Sequence, residues 1–178
     1  IIMVSKTKKF IYIHIPKCGG TSIEDIIKKY CYKYNNSTSA FGDHASLNTE
    51  KNALTEEEYT SYYKFSVVRH PLTRLASIYH FGIGINHDGD RSWSGGAHIR
   101  EWEKYHDVST FQLFIQNLPK LYDDLYYEYF IPQVDWLRVN GKINLDKIIH
   151  LENLTEAWPG IANKFNLPTD IGNTARAT

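Results

Sequence analysis

The stretch Lys9 to Glu24, KFIYIHIPKCGGTSIE, decides how this chain is read. Aromatic and β-branched residues run from Lys9 to Pro16 with little polar interruption, the pattern of a strand buried on both faces. A Lys-Cys-Gly-Gly turn follows, and then Ile23, Ile26, Ile27 and Tyr30 recur at helical spacing. Thr21 and Glu24 stand in the relation of a capping box, which predicts that Thr21 caps this helix. A buried strand that turns through two glycines into a helix brings free backbone N–H groups and the positive end of a helix dipole to one point. Such a point holds an anion of the phosphate or sulfate type. Gly19 and Gly20 admit its oxygens, Thr21 and Ser22 add hydroxyl donors, and Lys17 adds a full positive charge.

Working outward, the same grammar recurs. KFSVVR, Lys64 to Arg69, reads as a second buried strand, and His70-Pro71 opens a helix with Leu72, Leu75, Ala76 and Tyr79 on one stripe. KIIHL, Lys147 to Leu151, is a third strand, followed by a helix from Leu154 to Phe165 that Pro159 limits or shifts. Thr55 with Glu58 opens a short helix, and Ser109 with Gln112 caps one carrying Phe111, Phe114 and Ile115. The aromatic segment Leu121 to Trp136 is expected to be further helix. Strand and helix alternate, which predicts an α/β fold with a mainly parallel central sheet flanked by helices. No repeat or long linker divides residues 1–178, so a single domain is expected.

Composition narrows the function. The 178 residues carry 20 basic and 20 acidic side chains, so no bulk charge drives the chain toward nucleic acid. Any anion must be gripped locally. No apolar run approaches the roughly 20 residues that span a bilayer. Two cysteines, Cys18 and Cys31, make no disulfide framework, and a soluble, cytoplasmic protein, or the excised soluble domain of a longer one, is expected. Lys17 precedes its glycines, whereas a nucleotide kinase loop places its lysine after them, and no acidic strand end offers a magnesium anchor.

IHIPKCGGTSIE at residues 13–24, followed by FSVVRHPLTRLASIYHF at 65–81, resembles the sulfotransferases that use 3′-phosphoadenosine 5′-phosphosulfate, in particular the carbohydrate O-sulfotransferase branch. FIPQVDWL at 130–137 and KIIHLENL at 147–154 extend the likeness. The resemblance implies a three-layer P-loop-type sulfotransferase fold. It makes the first block a 5′-phosphosulfate loop, formed by Lys17, Cys18, Gly19, Gly20, Thr21 and Ser22. The second becomes a 3′-phosphate block whose Arg69 and Ser77 stand eight residues apart. It also implies a closing element after Asn173, with Arg176 near the nucleotide, and a chain that stops short of the family's usual end.

The chemistry expected is in-line transfer of a sulfuryl group to a hydroxyl, on a saccharide by resemblance, leaving 3′-phosphoadenosine 5′-phosphate. Lys17 would meet the charge growing on the leaving group, and His44 in GDHASL would act as general base, with His80 in reserve. No metal is expected, because a fixed cation and amides serve where kinases use magnesium. Cys18 is expected to contribute only its amide, and His14 to be a packed, hydrogen-bonded strand residue. Arg74, one turn before Ser77, reads equally well as a salt-bridge arginine. His87, Asp88 and Asp90 read as solvated turn residues within the glycine-rich segment Gly82 to Gly96, which reads as a lid or as an acceptor-facing surface. The competing readings are a catalytically silent nucleotide-binding or interaction module and a P-loop phosphotransferase.

Overall fold

The computed structural model describes residues 2–34, 54–82, 107–124 and 128–172. The chain divides into two compact units, Ile1–His70 with Ile131–Thr178, and Pro71–Phe130.

The first unit is built on a sheet of five strands: β1 Ile2–Ser5, β2 Phe10–Ile13, β3 Tyr32–Tyr34, β4 Tyr63–Val68 and β7 Lys147–His150. Their order is β3-β1-β2-β4-β7. β2, β4 and β7 run parallel, while β1 pairs antiparallel with both β2 and β3, so four of the five strands point one way. The three strands read from the sequence are the parallel ones. The antiparallel addition of β1 and β3 was not read: IMVS is short and sits beside a lysine-rich turn, and YKY offers three residues with no period to count.

Alternation along each strand divides the apolar side chains between two cores. Met3, Phe10, Tyr12, Phe65, Val67 and Ile149 face one way. They pack under helix α1, Gly20–Ile27, and helix α6, Leu154–Lys164, through Ile23, Ile27, Leu154, Trp158 and Ile161. Ile2, Val4, Ile11 and Ile13 face the other way, toward Leu54, Tyr62, Trp136 and Leu137. Those residues belong to or flank helix α2, Glu56–Ser61, and helix α5, Gln133–Leu137. Trp158 is wholly buried, and its indole N–H donates to the Pro168 carbonyl at 2.9 Å. Pro159 neither ends nor displaces α6, which runs through it to Lys164; one N–H donor is lost, and packing of the apolar stripe holds the rest. A small hairpin, β5 Arg138–Val139 and β6 Lys142–Ile143, turns through Asn140 and Gly141, both at positive φ.

The second unit holds helix α3, Pro71–Gly82, and helix α4, Phe111–Asp124, packed through Tyr79, Val108 and Phe114. Two expectations change here. Leu72 is 68% exposed, while Leu75 and Tyr79 of the expected stripe do pack inward, and the buried face of α3 also takes in Arg74, Ser77 and Ile78. The cap of α4 moves by one residue: Asp107 takes the N–H and hydroxyl of Ser109, and Thr110 Oγ1 accepts from Leu113 N–H instead. Helix also does not continue from Leu121 to Trp136. α4 is described over Phe111–Asp124, a 3₁₀ turn covers Glu128–Phe130, and α5 begins after Pro132, whose ring disfavours helical backbone at Ile131. Among the described residues no helix is long and apolar enough to cross a membrane.

Candidate functional site

Parallel strands deliver their carboxyl ends to one side of a sheet, where α/β proteins bind their ligands. β2, β4 and β7 therefore bring three connections together: His14–Gly19, Arg69–His70 and Leu151–Asn153.

The first connection is the Lys-Cys-Gly-Gly turn. Lys17 and Gly19 have φ of 64° and 74°, so the chain doubles back twice before α1 begins at Gly20. The predicted capping box does not form. Gly19 is the N-cap, Thr21 lies inside the helix, and the Glu24 carboxylate turns to His14 Nδ1 at 2.5 Å. Since Gly19 has no side chain to accept from the first turn, the N–H groups of Gly20, Thr21 and Ser22 carry the positive end of α1 without a capping oxygen. A side chain is disfavoured at both glycines, at Gly19 by its positive φ and at Gly20 by the His14 ring. A Cβ on Gly19 would lie 2.5 Å from Leu151 Cδ1, and one on Gly20 would lie 2.1 Å from the His14 ring.

The second connection abuts the first. Arg69 Nη1 reaches the Lys17 carbonyl oxygen at 3.5 Å, long for a hydrogen bond but close for two segments 52 residues apart in sequence. Arg69 is 8% exposed; burial lowers its pKa, and nearby charges including the Glu152 carboxylate oppose that shift. Lys17 is half-buried, and desolvation together with the Arg69 charge brings its ammonium down to about 8. Two cations crowded at one sheet end form an electrostatic environment suited to an anion. Glu152 accepts the His70 N–H at 2.7 Å; burial pushes its carboxyl up, but that bond, its own backbone N–H and the nearby His150 and Arg69 charges together hold it below its ordinary value.

Gln133 was missed by sequence reasoning. Its Oε1 accepts the Arg69 N–H at 2.8 Å and its Nε2 donates to the Arg69 carbonyl at 2.8 Å. The Cys18 thiol, 1% exposed, donates to the same Oε1 at 3.1 Å. The Cys18 side chain is packed in the second core, with its thiol making this bond, and its N–H turns back to the Ile15 carbonyl at 3.3 Å. No sequence signal short of the FIPQVDWL likeness could have found Gln133, because it lies 64 residues from Arg69 and 115 from Cys18.

Lys17, Cys18, Gly19, Gly20, Thr21, Ser22 and Arg69 are therefore brought to one end of the first unit. Ser77 lies in α3 of the second unit, where it is buried, and His80 is exposed on the same helix beside the Tyr79 ring. His44, His87, Asp88, Asp90 and Arg176 lie outside the described residues. His14 is the packed, hydrogen-bonded residue expected, paired with Glu24. A family model described as the sulfotransferase family matches residues 1–177. No curated protein and no solved structure matches the chain. On the match along nearly its whole length, the chain belongs to the sulfotransferase family and is an enzyme of sulfuryl transfer.

Proposed function

We propose that this sulfotransferase takes its sulfuryl group from 3′-phosphoadenosine 5′-phosphosulfate and passes it to a hydroxyl, on a saccharide, by in-line displacement. The observation that carries the reading is the contact of two basic turns, Lys17 with Arg69, at the carboxyl ends of β2 and β4. A donor with an anion at each end of its ribose needs two cationic sites a few ångströms apart, and these turns supply them.

When bound, the donor supplies the activated sulfate and a phosphate leaving group. The N–H groups at the start of α1 hold its equatorial oxygens, and Lys17 stabilises the charge that grows on the bridging oxygen. Arg69 grips the 3′-phosphate through its guanidinium fork. Ser77 joins it on the strength of the eight-residue interval alone, and His44 takes the acceptor proton on the strength of the family likeness alone. The three-layer P-loop-type description of the fold belongs to the same reading and is supported by helices on both faces of the parallel strands.

The test is transfer of labelled sulfate from the donor to a panel of saccharide, phenol and lipid alcohols. Label on a saccharide hydroxyl is the expected result. Tight binding of 3′-phosphoadenosine 5′-phosphate with no label on any acceptor would favour a catalytically silent nucleotide-binding module. Magnesium-dependent transfer from ATP would favour a phosphotransferase.

A further inference from the structure

We propose that Gln133 is a positioning residue that locks the two anion-binding turns at a fixed separation, so that one doubly phosphorylated nucleotide is gripped as a chelate. The proposal rests on the reading above, in which both turns hold the same nucleotide.

Arg69 is the first residue past the last ladder position of β4, so its backbone groups lie where the sheet no longer pairs them. The Gln133 carboxamide supplies both missing partners, at 2.8 Å each, and so fixes the Arg69 peptide on two sides. A single bond would leave a hinge, whereas a donor and an acceptor on one rigid planar group remove that rotation. The same Oε1 also accepts from Cys18, whose neighbour is Lys17. One side chain thus touches both turns. It stands at the first position of α5, after Pro132, where the helix start and the buried Trp136 and Leu137 anchor its backbone. The Cys18 thiol and the Arg69 peptide are shielded from solvent, so water competes poorly for these bonds.

The consequence concerns affinity. Two anion sites joined rigidly bind a two-anion ligand more tightly than either alone, because the second contact forms at a high effective concentration. Loosening the link costs that gain and leaves each single site nearly intact. An ordinary core hydrogen bond would instead affect all ligands alike.

The experiment measures the dissociation constants of 3′-phosphoadenosine 5′-phosphate and of adenosine 5′-phosphate, which lacks the 3′ anion. It compares the unaltered chain, Gln133→Met, Cys18→Ala and Cys18→Ser. The expected result is that Gln133→Met lowers the preference for the doubly phosphorylated nucleotide by about tenfold, while adenosine 5′-phosphate binding changes less than about threefold. Cys18→Ala should lower the same preference by a smaller factor, and Cys18→Ser, which restores a donor, should recover it. The cysteine pair carries the test should Gln133→Met fail to melt cooperatively. An unchanged preference, or an equal loss for both nucleotides, would overturn the role of Gln133 alone. No preference for the 3′-phosphate in the unaltered chain would overturn the nucleotide reading and this role with it.

Discussion

His14 occupies the space that a side chain at Gly20 would need: a Cβ there would stand 2.1 Å from its Cδ2 and 2.2 Å from its Nε2. The ring is held in place by Glu24 on α1 and lies 6.3 Å, centre to centre, from the stacked Tyr12 ring. Gly20 is thus required by the protein's own packing as well as by any anion that approaches the turn.

Gly20→Ala should therefore destabilise the fold by about 1–3 kcal/mol, the usual cost of forcing a methyl into a filled site. Thermal melting checks this. His14→Ala in the same chain should recover part of the loss, because the clash needs both partners. Strict additivity of the two effects would show that the ring moves aside freely.

Lys17 should impose a falling alkaline limb on kcat/KM near pH 8, since its ammonium has been brought to about 8 by burial and by Arg69 and acts only while protonated. Lys17→Arg should remove that limb, and Lys17→Ala should lower turnover more than nucleotide affinity. Stability should move the opposite way. The unfolded lysine keeps its proton to about 10.5 while the folded one loses it near 8, so between those values the unfolded state binds more protons and stability rises with pH.

Arg69→Ala should weaken nucleotides bearing a 3′-phosphate about 10- to 100-fold more than those lacking it, the span expected from losing a charge-assisted hydrogen bond. Calorimetric titration of both ligand types checks this. An equal loss for the two would remove Arg69 from that contact.

Thr55→Ala should cost about 1 kcal/mol, because the Thr55 hydroxyl accepts from Glu58 N–H at 3.2 Å and the Glu58 carboxylate accepts from Thr55 N–H at 2.9 Å. Glu58 is 2% exposed, and burial alone would raise its pKa. The Tyr32 hydroxyl, the Thr55 N–H and Lys6 outweigh burial and hold the carboxyl below its usual value. Its contribution is present above the unfolded carboxyl pKa and is lost as pH falls through the depressed folded value. Glu58→Gln should accordingly flatten the acid limb of the stability curve in urea unfolding.

His44→Ala should abolish sulfate transfer while the nucleotide still binds. Full activity would shift the base to His80 or another group, a result read directly from the labelled-sulfate assay.

Strands β2, β4 and β7 were legible because each is a continuous apolar run closed by a proline, a basic residue or a turn. The Lys-Cys-Gly-Gly turn was legible because glycines between a strand and a helix have few other uses. Its cap was misread: Thr21 and Glu24 satisfy the sequence rule, yet His14, ten residues before Glu24, competes for the carboxylate and wins. Leu72 was assigned to a buried stripe by periodicity, but it stands exposed in the first turn, while Leu75 and Tyr79 of that stripe face inward together with Arg74 and Ser77. Spacing gives a helix its period, whereas the phase comes from what packs against it.

The amino-acid order alone determined the parallel strands, the glycine turn between β2 and α1 and the basic residue closing β4, since these depend on local backbone preference and on runs of apolar side chains. Tertiary structure alone decided that Lys17 and Arg69 meet, that Gln133 and Glu152 fix the second turn, and that His14 closes the floor beneath Gly20. Those partners come from segments far apart in the chain, and only the side-by-side pairing of β2, β4 and β7 brings their carboxyl ends together.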